Sequence, residues 1–154
     1  MNIGNSNDKW APILLAAVSL FTVTTPIFAD ATTPIRGCDE RKAILDAVRA
    51  PLESDINQKV IFVVDHMKVD GDWAFVKATP KTKDGGPINY KGTKYQEDAA
   101  EADEMTVALL QKKKGKWTSV EHGHFTADVW WARLWERQKK CPRSIFEGRF
   151  FKAP

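Results

Sequence analysis

A chain of 154 residues with 43% hydrophobic residues, six of them tryptophan, is long enough for one domain with a sizeable core. The formal net charge of +3 is too small to favour nucleic acid as a partner, because nucleic-acid binding usually needs a concentrated basic face. The sequence contains no nucleophile elbow, phosphate-binding loop, HExxH motif or repeated Cys-x-x-Cys, and we expect no cofactor.

Residues 1–31 are predicted to be a signal peptide. Lys9 precedes an uncharged, mostly apolar run over residues 10–28, and the small residues Ala29 and Ala31 offer cleavage sites. A membrane anchor is the alternative, but the run contains two prolines and is short for crossing a bilayer. We therefore predict a periplasmic or secreted protein with one mature domain over residues 32–154.

The only cysteines, Cys38 and Cys141, lie near the two ends of this mature part. In an exported chain an even pair is typical of a disulfide, which would stabilise a loop of this length by about 4 to 5 kcal/mol in the chain-entropy model. Two free thiols in a cytosolic protein are the alternative. A metal site here is not expected, since two lone cysteines supply too few ligands.

A helix is predicted to begin at Asp39, and Pro51 is expected to kink or end it. Its apolar stripe, at three- and four-residue spacing, comprises Ile44, Leu45, Val48 and Leu52.

Residues 59–80 then predict a β-hairpin, because two apolar runs flank a central Asp-Gly. A two-residue loop, Asp70-Gly71, would place His66 opposite Phe75. A three-residue loop that includes Val69 places Met67 opposite Trp73, and we favour this register because it gives one apolar face. That face would comprise Ile61, Val63, Met67, Trp73 and Phe75.

A long polar insertion follows over residues 81–103. Such loops are usually functional or disordered, so a solvated loop and a recognition loop for a basic partner both remain open. The residues expected to contact a partner are Tyr90, Tyr95, Glu97, Asp98, Glu101 and Asp103.

Residues 105–111 and 117–121 predict a second hairpin around Gly115, with Met105, Val107 and Leu109 on one face. From Thr126 the apolar period becomes helical, and we expect a helix that Pro142 ends after Cys141.

This order of elements predicts an α+β fold: a four-stranded antiparallel curved sheet packed on one face by an N-terminal and a C-terminal helix. Small cystatin-like or cone-shaped nuclear-transport-factor-like domains have such an architecture. That comparison carries no function.

Several motifs together resemble a widespread group of small exported bacterial proteins. They are RKAILDAVRAPLE at residues 41–53, FVV at 62–64, GDWAFV at 71–76, ALL at 108–110, KW at 116–117 and TADVWW at 126–131. The resemblance spans nearly the whole mature chain and implies export and this fold. It implies no activity, and the cysteines and the acidic loop lie outside it.

Titratable groups concentrate at residues 121–128, EHGHFTAD. On a strand, His122 and His124 would share a face and could chelate a metal, with Glu121 pointing away and Asp128 following. Two histidines at this spacing are weak evidence, and we expect a polar strand end that leads into a helix cap.

The enzymatic alternative is a pocket on the concave face of the sheet, with a His and Asp pair in its cavity. Its residues would be Asp65, His66, Trp73, Phe75, Trp117 and His122.

The C-terminal segment is both basic and aromatic, which is typical of the solvated side of a helix and alternatively of a weak contact with an anionic surface. Its cations are Arg133, Arg137, Lys139, Lys140, Arg143, Arg149 and Lys152.

The features of the whole sequence together favour a non-catalytic binding protein of the bacterial envelope with a protein partner, for example an immunity or inhibitor protein. A small enzyme or ligand carrier is the alternative.

Overall fold

The computed structural model describes residue 1 and residues 30–97, 103–125, 129–138 and 140–148. The predicted signal peptide therefore lies almost entirely outside the described residues. Within the part that is described, no helix is both long and apolar enough to cross a membrane.

Helix α1 runs over Asp39–Ile56. Cys38 caps its start, with Sγ accepting a hydrogen bond from the Arg41 backbone N at 3.4 Å, and Asn57 ends it in the left-handed conformation at φ 52°. Of the two outcomes expected at Pro51, a kink or an end, the end is wrong, because the helix continues through this proline and buries Leu52 and Ile56.

Four strands form one antiparallel sheet in the order β1-β2-β3-β4. They are β1 (Val60–Asp70), β2 (Trp73–Thr82), β3 (Thr106–Lys113) and β4 (Lys116–His124). Lys114 and Gly115 form the second hairpin loop, both with positive φ, as a two-residue type I′ turn requires. The predicted α+β fold with a curved four-stranded antiparallel sheet is confirmed.

The predicted register of the first hairpin is wrong. Asp70 pairs with Trp73, so the loop is Gly71-Asp72, and Gly71 at its first position has the positive φ of 56° that a type II′ turn needs. A β-bulge at Asp65 then shifts the pairing, since Val64 faces Ala78 while His66 faces Lys77.

The bulge decides which side chains of β1 are buried together. Residues on both sides of it, Phe62 and Val64 before and Met67 and Val69 after, pack in the same layer as α1. Ile61 and Val63, which we expected to share a face with Met67, are instead 41% and 53% exposed.

The two faces of the sheet are covered by different segments. Helix α1 lies on the face that carries Ala74, Val76 and Leu110. The segment after β4 packs on the opposite face, over Phe75 and Leu109. The expectation of both helices on one face is therefore wrong, because adjacent strand residues bury large apolar side chains on both sides.

The C-terminal segment is less helical than predicted. It forms a 3-10 turn over Trp130–Arg133, one turn of α-helix α2 over Leu134–Arg137, and a second 3-10 turn over Arg143–Phe146. The expected cap at Thr126 lies outside the described residues. Bulky indoles are poorer helix formers than Leu or Ala, and Trp130 packs tightly against Gly123 of β4 instead of extending a regular helix.

Candidate functional site

The predicted concave pocket is not assembled, because its aromatic residues fill the core. Phe75 is fully buried, with its ring 4.8 Å from that of Phe146. Trp73 packs in the same layer, whereas Trp117 packs on the other face with α1. His122 lies at the far end of β4, so these four side chains do not line one cavity.

Asp65 and His66 do border a cavity of about 470 Å³, at the outer edge of β1. His66 is only 7% exposed, its Nε2 lies 2.8 Å from the carbonyl oxygen of Ile145, and burial lowers its pKa. Three cations, Arg36, Arg41 and Lys68, line the same cavity. Arg41 and Lys68 donate to the carbonyl oxygens of Pro34 and Ala31, at 3.1 and 3.3 Å.

A second cluster of titratable side chains lies at the end of β4. A bulge at Val120 shifts the pairing with β3, so that Glu121 faces Leu109 and His122 faces Ala108. Glu121 accepts hydrogen bonds from Arg137 and Gln138, at 3.0 and 2.6 Å, on the face covered by the C-terminal segment.

His122 and His124 share one face of the sheet, as predicted, and point away from Glu121. Their ring centroids are 5.0 Å apart. His124 is 3% exposed, and its Nδ1 lies 3.1 Å from Thr106 Oγ1. Its Nε2 is buried without a hydrogen-bond partner. Burial, reinforced by His122, lowers the pKa of His124 to about 4, so the ring is neutral at physiological pH.

The two histidines border a cavity of about 240 Å³ whose other wall comes from α1 and the loop after β2. Asp55 forms an ion pair with Lys94 at 2.7 Å and accepts a hydrogen bond from Tyr95 Oη at 3.0 Å. These contacts hold the pKa of the Asp55 carboxyl below its ordinary value.

Backbone strain marks the same place. Phe125, the residue after His124, has φ 56°, a conformation that is unusual for a bulky side chain and costs free energy. Its ring is held by edge contacts with Tyr90 and Tyr95, at centroid distances of 4.9 and 5.0 Å. The tyrosines, the cavity and the strained residue therefore form one packed unit.

The tyrosines predicted to contact a partner thus face inward. Tyr90 and Tyr95 pack against the cluster that Ile88, Ile56 and Phe125 form. Among the predicted acidic contacts, Glu97 and Asp103 are exposed, whereas Asp98 and Glu101 lie outside the described residues.

The predicted disulfide is not formed, and both cysteines are free. Cys38 caps the helix on one face of the sheet. Cys141 packs in the layer on the other face, where its thiol donates to the Gln138 carbonyl oxygen at 3.0 Å and burial raises its pKa. The two sulfurs therefore belong to different layers of the fold.

Ion pairs with nearby glutamates neutralise part of the positive charge of the C-terminal segment. Arg133 pairs with Glu136 and Arg137 pairs with Glu121, both at 3.0 Å. Lys140 and Arg143 are exposed. The remaining predicted cations, Lys139, Arg149 and Lys152, lie outside the described residues.

Sequence reasoning missed Asp55, Lys94 and Thr106 as neighbours of the histidines. Asp55 lies in the last turn of a helix, Lys94 lies in a loop and Thr106 begins a strand, so no spacing along the chain joins them. Comparison of the chain with protein-family models, with curated proteins and with solved structures gives no match.

Proposed function

We propose that the protein is a non-catalytic binding protein of the bacterial envelope that recognises another protein through the loop after β2. An immunity or inhibitor protein against an envelope-targeted enzyme is one concrete form of this function. The observation that carries the proposal is the way in which residues 83–97, called here the anchored loop, are fixed to the body of the domain.

The anchored loop is held by contacts along its length. Gln58 and Asn89 exchange two hydrogen bonds, with Gln58 Nε2 donating to the Asn89 carbonyl oxygen at 2.6 Å and the Asn89 N donating to Gln58 Oε1 at 3.1 Å. Tyr95 and Lys94 both bind Asp55. A loop that is ordered before binding loses less conformational entropy when a partner docks, which favours its use in recognition.

Exposed acidic residues lie at the end of the anchored loop and just before β3, whereas the loop itself also exposes three lysines. Glu97 at the end of the anchored loop and Asp103 and Glu104 before β3 are exposed, and Glu104 is paired with Lys81 at 2.5 Å. Complementary charge mainly accelerates association and selects partners, so a basic protein surface is the expected counterpart.

Location in the envelope is supported by the leader pattern of residues 1–31 and is tested by the intact mass of protein recovered from the periplasmic fraction.

The experiment compares two double charge reversals in pull-downs from an envelope extract. Glu97→Lys with Asp103→Lys changes the acidic region, and Asp72→Lys with Glu147→Lys makes the same change in net charge at exposed residues elsewhere. We expect the first variant to lose the partner and the second to retain it. Equal recovery by both variants would contradict the proposal.

Charge reversal is preferable to removing the loop. Ile88, Tyr90 and Tyr95 contribute to a core cluster with Leu52 and Phe125, so a deletion would expose apolar surface and obscure the result.

A further inference from the structure

The geometry points to a binding site for a divalent transition-metal ion at the end of β4, with His122 and His124 as its two protein ligands. The ion belongs to the class that imidazole prefers, namely Zn²⁺, Ni²⁺ or Cu²⁺. This inference does not depend on recognition of a protein by the anchored loop.

The two rings are adjacent because of the strand that carries them. Residues two apart in a strand point to the same face, and the ring centroids of His122 and His124 are 5.0 Å apart. His122 is exposed and His124 is buried, so the pair of rings lies where the sheet meets solvent.

Each ring is held through its Nδ1 by a hydroxyl group. His124 Nδ1 lies 3.1 Å from Thr106 Oγ1, and His122 Nδ1 lies 3.1 Å from Ser119 Oγ. Histidines that bind metals usually have the second ring nitrogen fixed by such a hydrogen bond. When both hydroxyls accept from Nδ1–H, the tautomer leaves a lone pair on each Nε2.

The Nε2 of His124 is the independent observation that indicates a ligand. It is buried without a hydrogen-bond partner, which is costly for a polar atom, and its ring borders the 240 Å³ cavity. Lys94 also lines this cavity, but it is paired with Asp55, so the two fixed charges offset one another near an incoming cation.

The site supplies two ligands only. In the described ranges, no cluster of three or more His, Cys, Asp or Glu side chains could hold a metal ion. Water would fill the remaining coordination positions, so binding is expected to be reversible and strongest for Cu²⁺, which leads the usual order of divalent affinities.

The test is calorimetric titration of the full chain, without an affinity tag and freed of metal by a chelator, with Cu²⁺, Ni²⁺ and Zn²⁺. We expect saturable binding of one ion, with the electron paramagnetic resonance spectrum of the Cu²⁺ complex showing coupling to two imidazole nitrogens. His122→Asn should weaken binding at least about tenfold and remove one of these couplings. Because His122 is exposed, the variant should retain the wild-type melting temperature.

Two hydroxyl deletions on β4 provide the matched comparison. Ser119→Ala should weaken binding by about tenfold, since it frees the His122 ring. Thr118→Ala removes a hydroxyl that donates to the Gln111 carbonyl oxygen, away from the rings, and should leave the affinity unchanged. The inference is overturned if none of the three ions binds saturably, or if folded His122→Asn binds as tightly as the wild type.

Discussion

Acidification is expected to destabilise this fold through His124. Its pKa is about 4 in the folded protein, against an ordinary value of 6.5. Above pH 6.5 the ring is neutral in both states, and the fold has its full stability. Between pH 6.5 and 4, His124 binds a proton in the unfolded chain but not in the folded protein, so stability is lost over this window. At about 1.4 kcal/mol per pKa unit the loss by pH 4 is about 3 kcal/mol.

The assay is urea unfolding at several values between pH 7 and 4 in the presence of a chelator, for the wild type and for His124→Asn. Asparagine keeps a polar group near Thr106 but does not titrate, so the variant should lose about 3 kcal/mol less than the wild type over this window. Burial also lowers the pKa of His66, and this second ring leaves the variant with some acid sensitivity of the same sign. Equal losses for the two proteins would refute the reasoning.

Three further substitutions test the packing. Gly123→Ala would place a Cβ 2.7 Å from Trp130 Nε1, and we expect a loss of about 1 to 3 kcal/mol in thermal unfolding; an unchanged melting temperature would show that Trp130 does not pack there. Tyr95→Phe removes the hydrogen bond to Asp55 and should cost about 1 kcal/mol, with faster amide exchange in residues 83–97 than in the wild type. Phe75→Ala should cost about 3 to 5 kcal/mol in urea unfolding, and a loss below 1 kcal/mol would contradict its place in the core.

Features that depend on the apolar periodicity of a single helix or strand could be predicted from the sequence. The stripe of Ile44, Val48 and Leu52 lies against the sheet, and Val107 and Leu109 alternate with Ala108 as expected. These features depend on periodicity within one element, which the sequence displays directly.

Features that depend on contacts between residues distant in the sequence could not be predicted from periodicity. Asp65 becomes a bulge residue because the rest of β1 must pack against α1, and nothing local to Asp65 indicates this. Trp130 packs against Gly123, so this part of the segment that we expected to form a long helix is a 3-10 turn. The cavity beside His124 likewise needs Asp55 and Lys94 from separate parts of the chain.

The extra residue at Asp65 makes the length of β1 as important as its composition. Its side chain is exposed, so many replacements at this position should be tolerated. Deleting the residue would instead rotate the whole distal half of the strand by half a turn, bringing Met67 and Val69 out of the helix-side layer and forcing the charged Lys68 into it. Among related chains, insertions and deletions should therefore be rarer at this point than changes of residue type.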